Sequence, residues 1–124
     1  MRACLAFRSL RFGKKSVLFS ERVILTIDEL KAPRRHYRLI EQLESASTSI
    51  AMNIAEGKGR QTTKEFIQFL YIARGSLFEV ITLIFILQKV GWIDKEKVIE
   101  LEKLAEEITK MINSLIKSMK QKRL

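Results

Sequence analysis

The sequence has few of the residues that make turns and cross-links. Its 124 residues include one proline, five glycines and one cysteine. So few prolines and glycines leave little room for the many turns of a β-sandwich or barrel. A lone cysteine excludes an internal disulfide framework, and one histidine with one cysteine cannot form a zinc site of the ordinary kind. These shortages favour a single all-α domain of long helices in the reducing cytoplasm.

Long apolar runs are missing as well. The most apolar stretch, residues 77–87, contains Glu79 and Thr82. It has about half of the roughly 20 residues that a membrane-spanning helix needs. Basic residues near the N-terminus interrupt the apolar stretch that a signal peptide requires. We therefore predict a cytoplasmic protein with no membrane segment and no signal peptide.

Positive charge is abundant and is concentrated at one end of the chain. There are 23 Lys and Arg against 14 Asp and Glu, a formal charge of +9. Residues 1–38 alone hold ten basic and three acidic side chains, a balance of +7. Such charge attracts polyanions such as nucleic acid. Two interpretations stay open: a phosphate-binding surface whose affinity falls steeply with salt, or a solvated face with a loose tail.

Apolar residues recur at helical spacing in four segments, which predicts four helices in one bundle over residues 16–120. The predicted helices span residues 16–31, 34–56, 63–90 and 94–119. Residues 1–15 are predicted to be a basic arm that is poorly ordered or depends on a partner. Residues 121–124 are predicted to be a frayed basic tail.

Specific residues mark where the helices begin and end. Pro33 separates the first two helices, because proline breaks one helix and suits the first position of the next. Gly57 is expected to end the second helix in a left-handed conformation. Thr62 and Glu65 have the spacing of a capping box, which predicts the start of the third helix.

The third helix has more apolar surface than one bundle can cover. One apolar face includes Leu70, Leu77 and Ile84, and a second face holds Ile67, Tyr71, Phe78 and Phe85. A helix that is apolar on two sides needs partners on two sides. We therefore expect the protein to assemble with copies of itself.

The central part of the chain resembles a known family. Residues 33–43 read PRRHYRLIEQL, residues 53–60 read NIAEGKGR and residues 73–79 read ARGSLFE. This pattern is similar to that of the 23S rRNA-intervening sequence proteins. The resemblance implies an antiparallel up-down four-helix bundle that forms a homo-oligomeric ring, with a pentamer favoured. Similar bundles are accessory proteins of reverse transcriptases in diversity-generating retroelements, so a reverse transcriptase is a further implied partner.

Eleven basic residues are the candidates for binding nucleic acid. They are Arg8, Arg11, Lys14, Lys15, Arg34, Arg35, Arg38, Lys58, Arg60, Lys64 and Arg74. The last four surround the predicted turn between helices two and three, where free amides and the helix dipole also favour an anion. Ordinary solvated charges are the alternative interpretation there.

The matched block also holds a polar motif. Its members are Asn53, Glu56, Gly57, Glu65, Gly75, Ser76 and Glu79. Close carboxylates can bind a divalent metal or act as acid and base. In helical bundles such groups more often cap helices, pair with arginines or fix the helix register. We therefore expect a structural role for the motif, and no metal, cofactor or enzymatic activity.

These features together predict a non-enzymatic, homo-oligomeric bundle that contacts RNA or DNA phosphates and has no membrane partner. The alternative is a homo-oligomeric protein-interaction scaffold that does not bind nucleic acid. RNA and DNA both remain candidate ligands.

Overall fold

The computed structural model describes residues 11–30 and 36–123, and four α-helices account for most of them. They are α1 (Arg11–Asp28), α2 (Tyr37–Lys58), α3 (Thr63–Lys89) and α4 (Lys95–Arg123). The two described ranges contain no strand. The predicted all-α fold with four helices is confirmed.

The four helices enclose one core. α1 packs against α2 and α4, and α3 packs against the same two helices. Each helix therefore has two neighbours. Fully buried apolar side chains come from all four helices, among them Phe19, Val23, Ile50, Ile54, Leu70, Leu77, Ile84, Leu101, Ile108 and Ile112. These residues lie on the inner faces of the helices, as the helical periodicity of the sequence predicts.

The first and last helices are longer than the sequence pattern predicts. α1 spans Arg11–Asp28 instead of residues 16–31, and α4 continues to Arg123 instead of ending near residue 119. In α1 the inner face continues backwards through Ser16 and Gly13, which are both buried. Small residues such as these do not contribute to an apolar periodicity. Near the end of α4, Lys120 is a good helix former, and its charge suits the negative end of the helix dipole.

Two ion pairs link α1 to α4. The Lys15 ammonium lies 2.5 Å from a Glu107 carboxylate oxygen, and the Arg22 guanidinium lies 3.7 Å from Glu100. All four side chains are partly exposed to solvent. Each pair is therefore expected to add at most about 1 kcal/mol of stability.

Gly57 does not have the left-handed conformation that the sequence pattern predicts. It is buried in the last turn of α2, and Gly59 follows as the cap with a φ of −79°. A Cβ atom at Gly57 would lie 2.7 Å from Cβ of Phe69 and 2.9 Å from Cδ1 of Phe66. The position therefore needs glycine because α3 packs too closely against it for a side chain. A single sequence does not show whether a glycine is needed for close packing or for a positive φ.

The left-handed glycine is at the end of α3 instead. Gly91 has a φ of 82°. Its amide donates to the carbonyl of Gln88 at 3.0 Å, and the amide of Trp92 donates to the carbonyl of Leu87 at 2.9 Å. This pair of hydrogen bonds is a Schellman motif, which satisfies carbonyl groups that the helix leaves unpaired.

The predicted start of α3 is confirmed. Thr62 is the N-cap residue, and its hydroxyl accepts a hydrogen bond of 3.1 Å from the backbone amide of Glu65. The same hydroxyl lies 3.1 Å from a carboxylate oxygen of Glu65, to which it can donate. The Glu65 carboxylate therefore pairs with the hydroxyl of the cap residue.

The second apolar face of α3 is divided between the core and the surface. Ile67 is 2% exposed and Tyr71 is half-buried, whereas Phe78 and Phe85 are 53% and 42% exposed. α3 is also long and apolar enough to cross a membrane by length and composition alone. That criterion is weak, because the core helix of a bundle also meets it, and nine residues of α3 are buried.

Candidate nucleic-acid interface

The structure separates the predicted basic residues instead of gathering them into one surface. Arg8, Arg34 and Arg35 lie outside the described residues, and Arg11 is the first residue of α1. Arg38 is in the first turn of α2, and Lys58 is the last residue of that helix. A helix rises 1.5 Å per residue, so about 30 Å separates these two positions.

On α1, the two described candidates have different surroundings. Lys14 is exposed to solvent. Lys15 is half-buried and forms the ion pair with Glu107 described above. The charge of Lys15 is therefore largely compensated within the chain, and Lys14 is the better placed of the two to meet a phosphate.

The turn between α2 and α3 holds three of the candidates, together with two carboxylates. The Arg60 guanidinium lies 2.8 Å from Glu56 and 3.9 Å from Glu65. It also lies 4.9 Å from the ring centroid of Phe69, and the Lys58 ammonium lies 5.8 Å from that of Phe66. Lys64 is exposed. The two acidic partners reduce the net charge of this turn to about that of one cation.

Arg74 lies two to three turns further along α3 and faces α4. Its Nη1 donates a 2.7 Å hydrogen bond to Oδ1 of Asn113, and its guanidinium lies 5.1 Å from the ring centroid of Tyr71. The Lys120 ammonium lies 5.3 Å from the centroid of the same ring. Positive side chains from two helices thus converge on one aromatic residue.

Sequence reasoning missed the contribution of α4 to this cluster. Asn113, Lys117 and Lys120 all lie beside Arg74 and Tyr71. A signal was present, because residues 108–124 contain five Lys and Arg and no Asp or Glu. The preceding stretch, residues 94–107, contains six acidic and three basic residues. Charge changes sign along α4, and the basic half runs beside the first turns of α3.

The polar motif forms hydrogen bonds between α2 and α3. The Ser49 and Ser76 hydroxyls lie 2.9 Å apart, and the Asn53 amide donates to the carbonyl and the hydroxyl of Ser49. Nearer the start of α2, the amide of Gln42 donates to Glu79 at 3.2 Å. The Ser49–Ser76 and Gln42–Glu79 contacts join the two helices at two heights, and the Asn53–Ser49 contacts lie within α2.

The two glycines of the motif differ from each other. Gly57 is enclosed by Phe66 and Phe69, as described above, whereas Gly75 is exposed and has no atom within 4 Å of the position of a Cβ. Nothing within the described chain requires glycine at position 75. Within residues 11–30 and 36–123, no three His, Cys, Asp or Glu side chains lie close enough together to hold a metal ion.

The basic residues described above offer positive charge and hydrogen-bond donors to a ligand. Three comparisons with known proteins bear on the function of the chain. The family model for 23S rRNA-intervening sequence protein matches residues 8–114. A crystal structure of a protein with unknown function from the S23 ribosomal protein family of Bacteroides thetaiotaomicron has a similar fold, with a TM-score of 0.79 and 26% sequence identity. The similarity covers 86% of this chain and 98% of that one. A comparison with curated proteins finds no match. Since the family model covers most of the chain, this protein belongs to the 23S rRNA-intervening sequence protein family.

Proposed function

We propose that this protein binds RNA or DNA through phosphate contacts and catalyses no reaction. The observation that carries the proposal is the convergence of Arg74, Lys117 and Lys120 at one place between α3 and α4. Lys58 and Lys64 are exposed at the α2–α3 turn and are further candidates for phosphate contacts.

Binding of this kind depends on charge and not on base sequence. Each Lys or Arg that meets a phosphate releases condensed counterions into solution, and the gain in entropy favours the complex. Phosphate contacts position a protein on a strand without reading its bases. We therefore expect little sequence preference.

We further propose that the bundle has an up-down topology with antiparallel neighbours. The pairs Lys15–Glu107 and Arg22–Glu100 support this topology, because residue numbers rise along α1 as they fall along α4. The connection from α2 to α3 is short, as expected between antiparallel neighbours.

The protein is also proposed to form a homo-oligomer, with a pentameric ring favoured. Support comes from the exposed apolar residues of α3, which include Ile72, Phe78, Phe85 and Ile86. Large apolar groups grouped on one helix favour a protein partner. A ring would bring the basic surfaces of several copies together, and simultaneous contacts would raise the affinity for a long strand.

A titration of labelled RNA and DNA across a range of salt concentrations tests the main proposal. Affinity should fall linearly on a log–log plot against salt, with a slope of about −0.7 to −0.9 for each phosphate contacted. An affinity that does not change with salt, or no binding at about 50 mM salt, would contradict the proposal. Cleavage of the bound strand on addition of Mg²⁺ would contradict its non-enzymatic part.

A second candidate is a protein-interaction scaffold that does not bind nucleic acid. The observation in its favour is the apolar groove, which we define by Phe78, Ile81 and Phe85 of α3 with Glu102, Ala105 and Glu106 of α4. A pull-down from nuclease-treated lysate separates the candidates. A protein partner that survives the nuclease favours the scaffold, and one lost with the nucleic acid favours the main proposal.

A role as the accessory factor of a reverse transcriptase is the most specific form of the main proposal. It rests on the family resemblance and on the basic surface. A reverse transcriptase gene beside this one would support the role, and co-purification of the two proteins would test it. Placement of the gene inside a ribosomal RNA gene would favour the intervening-sequence group instead.

A further inference from the structure

The cations around Tyr71 line a groove between the start of α3 and the end of α4. We define this basic groove by Tyr71, Arg74, Asn113, Lys117 and Lys120. It encloses about 450 Å³, and Ile116 and Gln121 complete its lining. Three of its residues are positively charged, and no carboxylate lines it. The charge of the groove is therefore not compensated by its own walls.

Contacts within the groove hold two of the three cations in place. Arg74 and Lys120 both lie within about 5 Å of the Tyr71 ring, whose negative face attracts cations. The Asn113 carbonyl oxygen accepts from Arg74, so the amide nitrogen of Asn113 remains a donor. The groove thus offers several N–H donors and positive charge to one ligand.

Some basic residues of the described bundle form ion pairs with carboxylates, and the three cations of the groove do not. Lys97 lies 3.2 Å from Glu100, and Lys15 and Arg60 form the ion pairs described above. No ion pair joins Arg74, Lys117 or Lys120 to a carboxylate anywhere in residues 11–30 and 36–123. Like charges that lie close together repel each other, and an anion between them removes that cost.

We infer that the basic groove is a subsite for the phosphodiester backbone of a nucleic-acid strand. This inference rests on the proposed function and names the residues that perform it. The planar guanidinium of Arg74 presents paired donors that suit two oxygens of one phosphate. Lys117 and Lys120 act as point charges on the same or the next phosphate. Tyr71 is a positioning residue that holds Arg74 and Lys120.

A matched pair of double variants on α4 tests the inference. Lys117→Ala with Lys120→Ala removes two cations from the groove. Lys95→Ala with Lys103→Ala removes two exposed lysines from the other half of the same helix. Both variants lose the same charge and gain the same side chain, and alanine favours the helix in both. Circular dichroism confirms that each one folds.

The groove variant should bind a labelled oligonucleotide roughly 25- to 60-fold more weakly at about 0.1 M salt, with a salt slope smaller by about 1.4 to 1.8. The control variant should differ from the unchanged protein by less than about 3-fold, because distant charges are screened. Equal losses of oligonucleotide affinity in both variants would contradict the assignment of the basic groove as a phosphodiester subsite. The proposed function would still stand. Failure of the unchanged protein to bind at low salt would overturn both.

Two further measurements test the ligand of the groove and the role of its aromatic ring. Titration with inorganic phosphate at constant ionic strength should give no binding below millimolar concentrations, and micromolar binding would assign the groove to a free phosphate ligand instead. Tyr71→Phe keeps the ring and should retain oligonucleotide affinity, whereas Tyr71→Leu should lower it several-fold. Equal affinities of these two variants would contradict the positioning role of the ring.

Discussion

The apolar groove and the basic groove lie between the same two helices, yet their chemistry is opposite. The first exposes Phe78 and Phe85 and is also lined by Glu102, Glu106 and Lys110. The second exposes lysines and an arginine around one tyrosine and has no acidic lining. About two helical turns of α3 separate Phe78 from Tyr71. One helix pair can therefore offer adjacent surfaces for a protein partner and for an anion.

Disrupting the apolar groove should have the largest effect. Phe78→Ser with Phe85→Ser removes apolar area that is already half-exposed, so we expect a folded but monomeric protein. Loss of the oligomer removes simultaneous contacts with one long strand, and avidity from such contacts is typically worth about 10²- to 10⁴-fold. Light scattering after gel filtration gives the mass, and anisotropy with a long and a short oligonucleotide gives the affinities.

The control for this experiment is Met52→Ser with Ile99→Ser, which changes two exposed apolar residues on α2 and α4. It should leave the mass and the affinity unchanged. If the Phe78→Ser, Phe85→Ser variant keeps the oligomeric mass of the unchanged protein, the apolar groove is not the self-association surface. Loss of mass without loss of affinity for the long strand would show that the basic groove acts alone.

A smaller effect is expected when a carboxylate is placed in the basic groove. Asn113→Asp preserves the shape of the side chain and puts a negative charge beside Arg74, 2.7 Å from its Nη1. Nucleic-acid affinity should fall about 10-fold at about 0.1 M salt, with a salt slope smaller by about 1, because one phosphate contact is replaced within the protein. The new ion pair should raise the free energy of unfolding by up to about 1 kcal/mol.

Gln88→Glu makes the same charge change near the end of α3 and is the control. It should lower affinity by less than about 2-fold, since it lies far from the groove and is screened by salt. An Asn113→Asp variant that is more stable and binds as well as the unchanged protein would contradict a role for the groove in binding.

The smallest effect concerns Gly75, which lies in α3 between Tyr71 of the basic groove and Phe78 of the apolar groove. Gly75→Ala should raise the free energy of unfolding by about 0.5–1 kcal/mol, because the position is helical, exposed and unobstructed. Oligomeric mass and nucleic-acid affinity should stay the same. A drop in oligomeric mass would place Gly75 inside the self-association surface. Chemical denaturation measures the stability.

Gly57→Ala is the contrasting substitution for Gly75→Ala. It should lower stability by roughly 1–3 kcal/mol, because the added methyl group would overlap Phe66 and Phe69. Similar shifts of stability in the two variants would mean that the close packing at Gly57 does not constrain the fold.

The sequence predicts most of the fold because its signals are local. The apolar periodicity specifies four helices, and the Thr62–Glu65 spacing identifies the start of α3 correctly. The start of α1 is missed because Gly13, the buried residue upstream of the predicted start at Ser16, has no side chain. A pattern based on apolar residues does not count it.

The candidate site is less predictable because it depends on which residues face each other across two helices. Arg74 and Asn113 are 39 residues apart, and their contact follows from the register between α3 and α4. A single sequence does not encode that register in any short motif. The reversal of charge along α4 is visible in the sequence, but only the packing shows that its basic half lies beside Tyr71.

The absent side chain at Gly57 also bears on the geometry of the basic groove. Phe66 and Phe69, which close over Gly57, occupy the first two turns of α3, and Arg74 lies about 10 Å further along that rigid helix. A methyl group at position 57 would push these turns away from α2, and the shift would extend along α3 towards Tyr71 and Arg74. The position of the α3 wall of the basic groove thus depends on close packing around one glycine in the interior.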